Sequence, residues 1–243
     1  MPFLRRFYTV PERIQPHMFP FTLPLFAHGI EHDFRSDVTI FVGENGSGKS
    51  TILEAIASKC EFHLAGGGRN QRYQHDEQAS ALAHAVRLAW HPKVTEGFFL
   101  RAESFYNFAT YVDDIAREDG RMLDAYGGTS LHHQSHGESF LNLFRHRFTR
   151  GLFILDEPEA ALSPQRQLAF MRIINQLTTH GQAQFIIATH SPILLCYPGA
   201  DIISVDGNHL ARIDYRESDH YRLTSDFLAQ PQRYFMQLFA DEP

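Results

Sequence analysis

Cysteine is scarce in this chain: Cys60 and Cys196 are the only two in 243 residues. They form no CxxC pair, which argues against both a disulfide framework and a zinc site and suits reduced thiols in the cytoplasm. Long apolar runs are missing too. No stretch of about 18 apolar residues occurs, so no membrane-spanning helix is expected. Met1-Pro2-Phe3-Leu4-Arg5-Arg6 carries positive charge but no apolar core behind it, so a signal peptide is not expected either. Basic residues are in the minority, 22 Lys and Arg against 28 Asp and Glu, for a formal charge of −6. That argues against a basic coat but leaves a local basic patch open, with Arg69, Arg72, Arg145, Arg147 and Arg150 as its candidates. The remaining composition, 43% hydrophobic and 21% charged, is that of an ordinary globular chain.

What the chain does have is a glycine-rich turn in a specific setting. Val38 to Val42 is a short apolar run, Gly43-Glu44-Asn45-Gly46-Ser47-Gly48-Lys49-Ser50-Thr51 follows, and Ile52-Leu53-Glu54-Ala55-Ile56-Ala57 reads as a helix. Strand, glycine loop and helix in that order form the context of a phosphate-binding loop. The glycines let backbone N–H groups turn inward, and the new helix adds its positive end to the same nest. Lys49 would reach the β- and γ-phosphates and the Ser50 hydroxyl would hold Mg²⁺, so a nucleoside triphosphate is the expected ligand.

Elsewhere the pattern alternates between helices and buried strands. A helix is expected from about Lys49 to Cys60, a loop at Gly66 to Gln71, a helix from about Glu77 to Leu88, a strand at Phe98 to Leu100 and a helix over Tyr111 to Tyr126. Gly151 to Leu155 and Phe185 to Ala188 are continuous apolar runs, as in parallel strands covered on both faces. Pro164 to Thr179 reads as a helix with proline in an acceptable first position. Ile202 to Val205 and Leu210 to Ile213 flank a turn at Asp206-Gly207-Asn208, and Thr224 to Phe239 reads as a terminal helix. The result is an α/β fold, a mixed sheet core flanked by helices. One domain over residues 1–243 is expected, with a core lobe over about 1–65 and 150–243 and a helical subdomain over about 66–149.

Two further strand ends carry chemistry. Leu152 to Leu155 runs into Asp156 and Glu157. Beside a phosphate loop, Asp156 can bind Mg²⁺ opposite Ser50, while Glu157 can act as general base on the attacking water. Ala188-Thr189-His190-Ser191-Pro192 ends another buried strand with a histidine on the edge where open α/β sheets bind ligands. Fifteen histidines also invite a metal reading. His28 with His32, and His132, His133 and His136, are its candidates, against the alternative of hydrogen-bonded or solvated loop histidines.

The order phosphate loop, Ser135-His136-Gly137-Glu138, Leu155-Asp156-Glu157-Pro158, Ala160-Ala161-Leu162-Ser163 and Thr189-His190-Ser191 resembles the nucleotide-binding domain of ABC-type P-loop ATPases. It is most similar to stand-alone AAA-family ATPases with an SMC- or repair-like signature. The resemblance implies ATP and Mg²⁺ as cofactors, ATP hydrolysis, and a homodimer closing around two ATP molecules. In it Ser135, His136, Gly137 and Glu138 complete the partner's site, and Ala161, Leu162 and Ser163 cross between sites. His190 is the switch histidine, with Lys49 and Glu157 the other catalytic groups. Gly43, Asn45, Gly46, Ser47, Gly48, Lys49, Ser50 and Thr51 bind nucleotide; Ser50 and Asp156 bind metal, with Glu103 in the place of the usual glutamine. His136 departs from the glycine expected there. Phe19, Phe21, Phe26 and Phe34 are candidates to stack on a base, or else they pack the core.

Long heptad arms between Lys49 and Ser135 are absent, which excludes a long-armed DNA tether. The expectation is a soluble cytoplasmic ATPase acting on a protein or DNA partner. The alternatives are a nucleotide-binding subunit of a transporter with a separate membrane protein, and a non-hydrolysing ATP-binding switch.

Overall fold

The computed structural model describes residues 1–64, 66–69, 80–105, 109–110, 112–113, 136–146 and 149–240. Five apolar segments become parallel neighbours: β3 (Val38–Val42), β5 (Gly97–Arg101), β6 (Gly151–Asp156), β7 (Ala183–Ala188) and β8 (Asp201–Ser204). With antiparallel β9 (Ala211–Ile213) they form a sheet in the order β5-β6-β7-β3-β8-β9. Its neighbour is a three-stranded antiparallel sheet in which β1 (Leu4–Thr9) lies between β2 (Glu31–Asp33) and β4 (Val86–Trp90).

Why the long runs are apolar throughout follows from what covers them. On one face Ile40, Phe98, Phe153, Leu155, Phe185 and Ile187 join a core with Phe140, Leu143 and Phe144 of α3 (His136–His146) and Phe170, Ile173 and Ile174 of α4 (Pro164–Thr179). On the other, Phe41, Phe99, Ile154, Ile186 and Ile203 pack on Ile52, Leu53 and Ile56 of α1 (Lys49–Lys59), with Leu82 of α2 (Ala81–Ala85) in the same core. Alternate residues of each strand thus serve opposite faces, and both are buried. Each buried Phe, Leu or Ile stabilises the fold by about 1.5–3 kcal/mol.

Two expectations change. Residues 86–90 are a strand, not the end of a helix: among the described residues of this stretch Ala81–Ala85 is helical, capped by Ser80, whose Oγ accepts from Ala83 N–H. The exposed and less exposed positions of Val86 to Trp90 alternate, which suits an edge strand on β1. With β5, this brings residues 86–90 and 97–101 of the range expected as helical into the sheets. The terminal helix is two helices, α6 (Asp219–Ala229) and α7 (Pro231–Leu238), following the short α5 (Pro192–Leu195). Pro231 interrupts the ladder because it has no N–H to continue it. The expected helix over Tyr111 to Tyr126 lies almost wholly outside the described residues. No described helix is long and apolar enough to cross a membrane.

One side chain joins the two sheets. Gln184 on β7 is fully buried, accepts from Leu4 N–H at 2.8 Å and donates to Leu4 C=O at 3.1 Å. It satisfies the Leu4 backbone pair at the point where the β1–β4 register shifts. His32 is held among Phe7, Phe34 and Phe41, with ring centroids at 6.2, 5.0 and 5.9 Å. Burial pushes its pKa down to about 4. Among the described residues no group of three metal-ligating side chains occurs, so the metal reading of His28 and His32 finds no support; His132 and His133 lie outside them.

Gln184→Leu leaves a buried N–H and C=O unpaired and is expected to cost about 2–4 kcal/mol, read as a lower urea midpoint at unchanged slope. His32 titrates near its ordinary value of about 6.5 when unfolded but at about 4 when folded. Below its unfolded pKa the unfolded chain takes up a proton that the folded chain refuses, so stability falls as pH drops through this window. His32→Leu should therefore lose less of its urea midpoint than wild type between about pH 7 and about pH 5.

Candidate nucleotide site

Register brings the site together. Arg101 lies opposite Asp156, Asp156 and Phe41 opposite Ala188, and Val42 opposite Ser204, so five parallel strands end on one line. The phosphate loop leaves β3 there, Glu157 follows β6, Thr189-His190 follow β7 and Val205-Asp206 follow β8. This is the carboxyl edge at which open α/β sheets bind ligands.

Gly48 takes the left-handed conformation at φ +104°, and a Cβ on it would stand 2.8 Å from two ring atoms of Phe26. Any other residue there would strain the turn and displace the ring beneath it. Gly48 also begins α1 without a side-chain cap, so no side chain of the cap position competes for the first-turn N–H groups. Ser47 Oγ is buried without a hydrogen-bond partner. Uncapped N–H groups and an orphaned hydroxyl beside a cation fit an anionic ligand. Lys49 is buried and donates from Nζ to Gly43 C=O at 2.7 Å and to Glu44 C=O at 3.0 Å. Burial lowers its pKa, an effect opposed by Glu157, Asp156, Asp206 and Glu44. Asp206 fixes the loop from the side by accepting from Glu44 N–H at 3.2 Å. Beside the loop is a 300 Å³ pocket between Leu23–Leu25, Glu44–Ser47 and Val205–Gly207.

Ser50 Oγ donates to Asp156 Oδ1 at 3.1 Å. The Asp156 carboxylate is buried, and burial raises its pKa against the opposing pull of Arg101 and Ser50. Arg101 Nε donates to Asp156 Oδ2 at 3.0 Å, and its Nη2 pairs with Glu54 on α1. Ser50 and Asp156 are hard oxygen donors side by side, a set suited to Mg²⁺ completed by water and phosphate oxygens. Glu103, expected as a third contact, is exposed in a turn after β5, whereas Arg101, two residues earlier, is the side chain that reaches Asp156.

Glu157 is left-handed, at φ 51° and ψ 51°, with its N–H held by Ala188 C=O at 2.9 Å. Such a turn at a non-glycine residue is sparsely populated and concentrates at functional sites. Its half-exposed carboxylate lies 3.4 Å from His190 Nε2. Burial chiefly, then Lys49 and His220, lowers the His190 pKa. His190 N–H donates to Glu159 Oε1 at 2.6 Å, and His190 Nδ1 lies 2.7 Å from His220 Nε2. Burial raises the Glu159 pKa against hydrogen bonds from Thr189 and His190.

The signature segment sits elsewhere. Ser135 lies outside the described residues, and His136 begins α3. Gly137 is packed so closely that a Cβ would stand 2.6 Å from the Arg166 side chain and 3.0 Å from Ala161 C=O. Exposed Glu138 is 3.9 Å from Arg166. Of the crossing segment, Leu162 is buried and its C=O accepts from Gln167 Nε2 at 3.1 Å, while Ser191 Oγ donates to Gln167 Oε1 at 2.5 Å. Gln167 thus ties Ala161-Leu162-Ser163 to the strand end that carries His190. Among the aromatic candidates, Phe21, Phe26 and Phe34 are core residues and Phe19 is exposed. Arg69 pairs with Glu61, Arg145 and Arg150 are exposed, and Arg72 and Arg147 lie outside the described residues.

Sequence reasoning missed Arg101, Glu159, Asp206 and His220 as site residues. Only Asp206 had a local signal, as the first residue of a turn after a buried strand. Arg101→Met would leave buried Asp156 without its cation. The expected cost is about 2–3 kcal/mol in chemical denaturation, reduced because Arg101 is partly exposed. In an Asp156→Asn background the same change should cost about 1 kcal/mol or less.

Two family models match parts of the chain: one described as "AAA domain, putative AbiEii toxin, Type IV TA system" over residues 130–195, and one described as "AAA domain" over residues 25–93. The second contains the phosphate loop; the first contains the signature segment, Asp156, Glu157 and His190. A curated relative, "Putative ribose/galactose/methyl galactoside import ATP-binding protein 1" of Burkholderia lata, is 25% identical over 197 residues, covering 73% of this chain and 38% of the relative. The chain therefore matches well under half the length of that relative. An ATP-binding cassette of an ABC transporter in its ADP conformation superposes with TM-score 0.52 at 14% identity, covering 98% of this chain and all of the other. CbiO1 from Clostridium perfringens, described as part of an ABC transporter complex, superposes with TM-score 0.50 at 16% identity, covering 96% and 98%. Phosphate loop, paired carboxylates and strand-end histidine thus stand on one edge of a fold shared with these ATP-binding cassettes, and two AAA-domain models match the segments that carry them.

Proposed function

We propose that this protein binds ATP with Mg²⁺ at the Gly43–Thr51 loop and hydrolyses it to ADP and phosphate. The observation that carries the reading is the paired contact at the strand ends: Ser50 with Asp156 at 3.1 Å, and Glu157 with His190 at 3.4 Å. Lys49 would exchange its loop carbonyls for the β- and γ-phosphate oxygens. The uncapped first turn of α1 and the Ser47 hydroxyl would donate to the same phosphates. Ser50 and Asp156 would hold Mg²⁺, which supplies charge neutralisation on the transferred phosphoryl group. The Glu157 carboxylate would accept the proton of the attacking water and pass it to solvent. The pocket by Leu23–Leu25 would receive the nucleoside end against an aliphatic wall.

Gly137 packed on Ala161, and Gln167 linking that segment to Ser191, support a shared route between signature and switch. On that ground the working form is an ATP-dependent homodimer in which Ser135, His136, Gly137 and Glu138 of one copy complete the other's site. Closure and reopening would act on a protein or DNA partner. A second reading, a transporter's nucleotide-binding subunit, draws on the sugar-import name of the Burkholderia relative. A membrane protein that co-purifies and stimulates turnover would favour it. Glu157 at the general-base position argues against a non-hydrolysing switch.

Light scattering with phosphate release tests the reading. Glu157→Gln should dimerise on Mg-ATP with turnover reduced at least about 100-fold, while wild type hydrolyses ATP. Monomeric Glu157→Gln at saturating Mg-ATP would remove the homodimer. Lys49→Ala should lose nucleotide binding in a fluorescent-ATP titration; unchanged affinity would remove the loop assignment.

A further inference from the structure

His190 and His220 also meet ring to ring at the end of β7. Their nitrogens are 2.7 Å apart and their ring centroids 4.8 Å apart. One nitrogen must therefore carry the hydrogen and the other the lone pair. The opposite nitrogen of His190, Nε2, is buried without a hydrogen-bond partner and stands 3.4 Å from the Glu157 carboxylate. If neutral His190 kept its single proton on Nδ1, it would donate to His220 and turn a lone pair toward an acceptor-only carboxylate. With the proton on Nε2, His190 faces Glu157 with a donor, and Nδ1 accepts from His220 Nε2–H. Of the two neutral tautomers, only the second makes both contacts attractive.

We infer that His220 is a positioning residue that fixes the tautomer and orientation of His190, so that Nε2–H points at Glu157 and the γ-phosphate. The inference deepens the hydrolytic reading and rests on it for its kinetic consequence. His220 is the second residue of α6, whose cap Ser218 is buried and accepts from Tyr221 N–H at 3.3 Å while donating to Tyr215 C=O at 2.7 Å. Tyr215 and Tyr221 meet edge-on at 5.0 Å. From the other side Glu159 holds the His190 backbone N–H. A ring held by its main chain and by one ring nitrogen has its remaining nitrogen aimed.

The test uses the full chain. His220→Leu keeps the bulk and removes the donor; His220→Gln keeps an N–H₂ near the original Nε2. His220→Leu should lower kcat about 10- to 100-fold with KM for ATP unchanged, as for other outer partners of a site histidine. His220→Gln should recover most of the loss. In a His190→Ala background His220→Leu should have no further effect. Nitrogen-15 NMR of histidine rings supplies an arm independent of turnover: wild-type His190 should be protonated on Nε2, and His220→Leu should move part of that proton to Nδ1. Melting temperatures equal to wild type establish that each variant is folded. Wild-type kcat in His220→Leu, equal loss in both variants, or an unchanged His190 tautomer in His220→Leu would overturn the inference. Absence of ATP hydrolysis in wild type, with the tautomer shift still present, would overturn the hydrolytic reading and leave the positioning role standing.

Discussion

A carboxylate buried at the end of a central strand must keep its charge compensated, and around Asp156 that demand organises three elements. Arg101 reaches it from β5, Ser50 from α1, and Glu54 on α1 holds the second arm of Arg101. An uncompensated charge at this depth would cost several kcal/mol, so the register of β5 on β6 and the seat of α1 are both constrained by it. The phosphate loop inherits its position from that seat, because Gly48 is the first residue before α1. The left-handed Glu157 then separates two adjacent carboxylates: one stays buried with cations, the other swings to the open edge. Chemistry at the site therefore begins as an electrostatic requirement of folding.

The sheets are joined by similarly few polar contacts in a largely apolar interior. Gln184 belongs to the parallel sheet by its backbone and to the antiparallel sheet by its side chain. Around it Phe, Leu and Ile supply cohesion without direction. Amide and guanidinium groups supply the direction, since a hydrogen bond fixes an angle that apolar packing leaves free. The exposed Leu223, Leu228, Met236, Leu238 and Phe239 show that α6 and α7 lie outside this interior, yet α6 still delivers His220 to His190 at the carboxyl edge of the sheet.

Features written into short stretches of sequence were legible. The loop, Asp156 and Glu157, and the helix Pro164–Thr179 each depend on neighbours within a few residues, and each stands where the pattern puts it. Val86 to Trp90 shows the limit. Its alternation is visible only once β1 is present as a partner; without one, the preceding alanines extend a helical reading over it. Two helices replace one after Ser218 because Pro231 weighs more than the surrounding amphipathic pattern. Arg101, Glu159 and His220 were beyond sequence reasoning for a different reason. Each owes its role to a contact with a residue many positions away, and nothing adjacent to it marks that contact.

Strand order has a consequence for how the chain is made. β3 is synthesised early and carries the phosphate loop, but both of its sheet neighbours, β7 and β8, come from residues 183–204. The β1 backbone at Leu4 likewise waits for Gln184, 180 residues later. An emerging chain therefore holds its most apolar strand without partners for most of translation. Such long-range pairings are slow to close and expose strand edges to other chains meanwhile. A ribosome-bound chain of this protein is a natural client for chaperones that shield apolar strands, and a nascent chain lacking β7 has no sheet in which to seat the loop.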